Sequence, residues 1–170
     1  MTTKKTIEFS SLKVEITTFE DQSKYTFKGA LDDKVREHEI PRADNKDVVF
    51  DLGQVEKISS TGIREWIKLI SAFKNTKSLT FENCSVLMVD QFNMVPESLG
   101  GAKVDSFYAP YFHAASRKEI ICLIKVDFHG PILAKNQAPP MSDKDSGDAL
   151  EFDALEESYF SFLKYLNRGI

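Results

Sequence analysis

Leu12, Val14 and Ile16 alternate with polar residues, and after the turn EDQS the alternation resumes at Tyr25 and Phe27. A period of two interrupted by turn residues predicts a hairpin over residues 12–30, closed by Gly29. The acidic stretch 32–47, with Pro41 inside it, predicts a loop carrying a short helix around Val35. VVFDL, residues 48–52, is a short apolar run of the kind shown by a strand covered on both faces. The period then lengthens. Ile63, Trp66, Ile67 and Ile70 fall at i, i+3, i+4 and i+7, one apolar face of a helix that turns Arg64, Glu65 and Lys68 elsewhere. A strand is predicted over 78–83, a helix presenting Val86, Val89 and Met94 before Pro96, and a strand over 104–110. The order β-β-β-α-β-α-β predicts an α/β layer structure, helices packed on a mixed sheet.

Beyond Pro110 the pattern changes, which places a boundary between a main domain, 1–110, and an appendage, 111–170. KEIICLIKV, residues 118–126, predicts a strand, and residues 129–149, rich in Pro, Gly and acidic residues, predict a mobile loop. Residues 152–166 predict one amphipathic helix with Leu155, Tyr159, Phe162 and Leu166 about a turn apart. A strand, a loop and a helix bury little by themselves, so the appendage is expected to dock on the main domain or on a second subunit.

Composition narrows the function classes. The chain has 170 residues, 42% hydrophobic and 28% charged, with a net charge of -4 and scattered Lys and Arg. No basic stripe is present, which argues against nucleic acid as a partner. No apolar run approaches the roughly 20 residues that cross a bilayer, and the start MTTKKTIEF lacks an apolar signal core. A cytoplasmic protein without direct membrane insertion is expected. Cys84 and Cys122 are expected to be reduced and mostly buried. His38, His113 and His129 have no ligand spacing, and no nucleophile elbow, phosphate loop or dinucleotide fingerprint occurs. No catalytic residue and no cofactor are assigned.

The stretch KISSTGIREWIKLI, residues 57–70, places Ser59, Ser60 and Thr61 directly before the helical period. A Ser or Thr there accepts a hydrogen bond from one of the unpaired N–H groups of the first turn. One cap needs one hydroxyl, and this segment supplies three. The capping-box spacing is also absent, because Ile63 follows Ser60 by three residues and Arg64 follows Thr61 by three. A phosphoryl group esterified here would meet the free N–H groups and positive dipole end of the helix, with Gly62 allowing close approach. Its charge, about -1.5 to -2, would alter what a partner meets at this surface.

The segments FKGALDD and VVFDLGQVEKISSTGIREWIKLI, with the strand, helix and strand that follow, resemble the STAS domain, the fold of anti-sigma-factor antagonists. The resemblance covers residues 10–110. It rests on Gly29, Leu31 and Asp32 after the second strand, on Asp51 and Leu52, and on the loop that opens the helix. It implies that Ser60 matches the serine phosphorylated by a partner kinase, with Ser59 standing where the family has Asp. Residues 81–112 also resemble a bacterial STAS-like group with a zinc-ribbon-like appendage. In that group Cys pairs would fall near His113 and Ser116 and near Asp143 and Ser146, so no structural zinc is expected here.

Together these readings point to a non-catalytic regulatory module whose partner is an anti-sigma-type kinase or another regulator. The expected binding surface is Ser59, Ser60, Thr61 and Gly62, with Arg64 and Glu65 on the exposed side of the helix; Trp66 is expected in the core. Two alternatives stand beside it. The aromatic terminal segment, with Phe152, Tyr159, Phe160 and Phe162, suits a homodimeric scaffold, and an accessory subunit of a transport or signalling complex is also compatible with a STAS-like domain.

Overall fold

A computed structural model describes residues 2–166. The chain forms a mixed α/β structure with two sheets. The first has the strand order β1 (Thr3–Glu8), β2 (Leu12–Thr18), β3 (Gln22–Leu31), β4 (Asp47–Ile58), β5 (Ser78–Glu82), β6 (Lys103–Val104). The first three strands are antiparallel and the last four parallel. Helix α1 (Ser60–Ala72) carries the chain from β4 to β5, and α2 (Val86–Met94) from β5 toward β6. The connection between β3 and β4 contains only a short 3-10 turn, Glu37–Glu39.

Burial along β4 alternates: Val48, Phe50 and Leu52 are buried, while Asp47, Val49 and Asp51 are half-buried. The strand is therefore covered on one face, not on both, and the polar half of VVFDL belongs to an open sheet face. On that face Lys24 bridges Asp51 at 3.2 Å and Glu82 at 2.5 Å, and Lys28 meets Glu15 at 2.6 Å. The covered face holds an aromatic core in which Trp66 meets Phe27, Phe50 and Phe81 at centroid distances of 5.6, 5.8 and 5.5 Å. Each such ring removes enough apolar area from water to contribute about 2 kcal/mol or more. Trp66 lies in this core as its spacing requires, and its indole N–H donates to the Ser98 carbonyl at 2.8 Å.

Several boundaries differ from the sequence reading. Strand β1 was not expected, because TKKTIE has no apolar alternation; it pairs at the edge, where only one side of the backbone needs a partner. The hairpin does not close at Gly29. There β3 bulges, with Gly29 at φ +111° and the Ser11 carbonyl so near that a Cβ would fall 2.4 Å from its oxygen, and the strand continues to Leu31. Strand β4 likewise runs on past Leu52 to Ile58. In α2 the buried residues are Met88, Val89 and Phe92, and Met94 is exposed.

The second sheet has the order β8 (Lys118–Lys125), β7 (Ser106–His113), β10 (Ala149–Phe152), β9 (Met141–Ser142), all antiparallel. Strands β6 and β7 are nearly one run broken at Asp105, so the boundary expected at residue 110 falls within β7. Residues 129–149, expected as a loop, contain most of α3 (Val126–Leu133) and all of β9; Pro131 sits in that helix. The expected terminal helix is divided into the end of β10, α4 (Glu156–Tyr159) and α5 (Leu163–Leu166).

The aromatic terminal segment packs inward. Tyr159, Phe160 and Phe162 are buried, with Phe162 against Phe107 and Phe92. Asn93 secures it. Its side-chain N–H donates to the Tyr159 carbonyl at 2.9 Å, and its oxygen accepts from the Ser161 hydroxyl and the Phe162 N–H, each at 2.8 Å. Asn93 is thus a clamp, and the aromatic surface expected to support a homodimer belongs to the chain's own core.

Candidate functional site

The C-terminal ends of β3 and β4 and the starts of α1 and α2 meet at one end of the first sheet. At such an end the strand carbonyls stop and helix N–H groups begin, a place where open α/β sheets commonly bind ligands. Ser59 forms the corner. Its N–H donates to the Leu31 carbonyl at 2.9 Å, its carbonyl accepts from the Ile63 N–H at 3.0 Å, and its hydroxyl accepts from the Gly62 N–H at 3.0 Å. Every polar group of Ser59 is therefore engaged in holding strand to helix, as a helix cap does.

That leaves Ser60 and Thr61, both exposed. Among the described residues no hydrogen bond ends on either hydroxyl, and no acceptor meets their backbone N–H groups. No acidic residue lies in the first turn of α1 to offset its positive end. One of the three hydroxyls caps, and two face solvent beside unpaired donors.

Gly62 has a different task from the one expected. It is buried, and a Cβ at this position would lie 1.9 Å from the Leu31 carbonyl oxygen. The glycine lets α1 start directly against the end of β3; it does not present itself to a visitor. Arg64 is exposed, whereas Glu65 is half-buried and bound to Lys68 at 2.7 Å. The surface therefore consists of Ser60, Thr61 and Arg64 together with Ser59, exposed although its polar groups serve the cap, while Gly62 is buried and Glu65 half-buried behind it.

Beside Ser59 lies a shallow recess of about 400 Å³ lined by Leu31, Ile58 and Leu87, with Asp32 and Lys57 also on its wall. Leu87 comes from α2, which no motif in the sequence connects with the hydroxyl turn. Burial pushes the Asp32 carboxyl up, but the Ser11 hydroxyl at 2.7 Å and the Lys34 N–H at 2.9 Å outweigh it and hold the group below its usual value. Asp51 accepts from the Gly53 N–H and the Asn83 side chain, so it fixes the end of the sheet at a distance from the hydroxyls along β4.

The four positions compared with a zinc ribbon lie at the turns of the second sheet. His113 Nδ1 is 2.7 Å from the Ser116 hydroxyl and its Nε2 is 3.0 Å from Asp148. Asp143 accepts from the N–H groups of Asp145 and Ser146. Both imidazole nitrogens are thus occupied, and among the described residues no three His, Cys, Asp or Glu side chains are grouped to hold a metal ion. The donor set does not fit zinc. Cys84 is buried with its thiol pKa pushed up by burial, and Cys122 is half-buried with a smaller rise of the same origin. Neither is poised as a thiolate.

No described helix is long and apolar enough to cross a membrane. No protein-family model, curated protein or solved structure matches this chain.

Proposed function

We propose that this chain is a non-catalytic, cytoplasmic regulatory module of STAS type that binds a protein partner at the start of α1, with Ser60 as a phosphorylation switch. The observation that carries the reading is the division of labour among the hydroxyls. Ser59 spends all its polar groups on the fold, while Ser60 stands exposed beside unpaired N–H groups at the positive end of a 13-residue helix. A phosphoryl group on Ser60 would be stabilised by those donors and would replace a neutral hydroxyl by a group carrying about -1.5 to -2 charge. The fold would persist, and the partner's contact would change. The apolar recess formed by Leu31, Ile58 and Leu87 offers the adjoining area that a docking side chain could fill.

The kinase or other regulator that would read this surface is defined by the chemistry: a face able to pack over Arg64 and the recess while tolerating the neutral hydroxyls. Affinity purification from the native cell, with intact-mass and peptide measurement of the recovered chain, tests the reading. A defined partner together with a phosphoryl group mapped to Ser60 supports it. Recovery of a uniformly unmodified chain under conditions where the partner is both bound and released contradicts the switch.

A further inference from the structure

Strand β8 ends the second sheet, and its outer edge has no strand partner among the described residues. Its polar groups can be assigned. Pro110 lies opposite Ile121, has no N–H, and directs its carbonyl to Asp153 on the far side. Tyr108, opposite Leu123, likewise bonds away from β8, to Cys84 and to the Tyr159 hydroxyl. In an antiparallel pair the opposing residue does the same, so Ile121 and Leu123 point their N–H and C=O groups at the open edge. At Lys125 the open edge stops, because the His129 imidazole meets its N–H at 3.1 Å.

Side chains alternate along the same strand. Ile120, Cys122 and Ile124 face the core, while Glu119, Ile121, Leu123 and Lys125 face outward, Ile121 at 46% exposure. The other long edge, β1, carries Lys4 and Lys5, charges that discourage further pairing. The centre of β8 carries none. Beside its end Phe128 is 79% exposed, its ring edge-on to the His129 ring.

We infer that β8 is a homodimerisation edge, pairing antiparallel with β8 of a second copy about a two-fold axis through Cys122. The outward sequence Glu119, Ile121, Leu123, Lys125 is its own complement when reversed. Glu119 then faces Lys125 of the other copy, Ile121 faces Leu123, and both relations occur twice. Because opposed residues share a sheet face, only shifts of two residues are admissible alternatives. One such shift sets Ile121 against Lys125. The other sets Glu119 against Leu123 and Arg117 against Lys125. The register centred on Cys122 alone matches charge with opposite charge and apolar with apolar throughout. It joins the two four-stranded sheets into one and satisfies the open groups of Ile121 and Leu123.

The inference is independent of the Ser60 surface, which lies on the first sheet. Light scattering and sedimentation of the full chain over a range of concentrations test it, with hydrogen exchange read at Ile121 and Leu123. The expected result is a dimer in which those two amides become protected as concentration rises. Glu119→Lys should weaken the dimer about tenfold, since two attractive pairs become repulsive, and Glu119→Lys with Lys125→Glu should restore it. Both positions are exposed, so folding is not at stake. A chain that stays monomeric at high concentration overturns the inference, as does a dimer that is indifferent to the charge reversal.

Discussion

The Gly62 N–H donates to the Ser59 hydroxyl at 3.0 Å, and the Leu31 carbonyl lies so close to the same glycine that a Cβ there would fall 1.9 Å from its oxygen. This contact fixes the start of α1 against the end of β3 and decides which hydroxyl is structural. Ser59→Ala removes the cap and should destabilise the protein by about 1 kcal/mol. Ser60→Ala and Thr61→Ala should change stability by less than about 0.5 kcal/mol, since neither side chain bonds to the fold. Urea denaturation of the three variants makes the comparison. Equal losses at Ser59 and Ser60 would refute this assignment of the cap.

Gly62→Ala is expected to be far more damaging. The added methyl would overlap the Leu31 backbone, which cannot swing aside as a flexible side chain would. A loss of at least about 3 kcal/mol is expected, because β3 and α1 must separate. Thermal unfolding of Gly62→Ala beside Gly101→Ala provides the control for steric space, as nothing lies within 4 Å of a Cβ at Gly101, although its φ of +75° adds some strain of its own.

Asn93 joins the two parts of the molecule through the backbone of Tyr159 and Phe162. Asn93→Ala strands both of those groups in a largely apolar setting and should cost about 2 to 4 kcal/mol. Hydrogen exchange at Phe162 should rise before exchange in the aromatic core around Trp66. Uniform loosening of the whole chain would instead show that Asn93 does not act locally.

Acid should destabilise the protein. Asp148 is held below its usual pKa chiefly by His113, Asp47 chiefly by the Ser78 hydroxyl, and Glu15 chiefly by Lys28. A carboxyl with a lower pKa in the folded chain contributes stability above its unfolded value, about 4, and loses that contribution as pH falls through the folded value. Asp90, raised by burial, acts in the opposite sense. The melting temperature should therefore fall mainly below about pH 4. Asp148→Asn should fall less than the unaltered chain over that range, and a parallel decline would remove Asp148 from the explanation.

Much of the first sheet was legible because its residues alternate or recur with one clear period. Leu12, Val14 and Ile16 mark a half-buried strand, and Trp66 with Ile70 marks the core side of α1. The polar β1 was not legible, since an edge strand can form with little burial of its own side chains. The terminal segment misled for a different reason. Tyr159 and Phe162 have helical spacing, but what orders them is Asn93 and Phe107, far away in sequence. At the candidate site, three hydroxyls before a helical period announced a cap and a surplus. Which hydroxyl capped depended on the reach of Leu31 and Gly62 across the fold, and Leu87 entered the recess through the packing of α2.

The most direct test of the account is parallel capture of partners by the unaltered chain and by Ser60→Asp, with the melting temperature of both measured beforehand. The account predicts nearly equal melting temperatures and a partner that the unaltered chain retains and Ser60→Asp releases. Equal retention by two equally stable chains would contradict it.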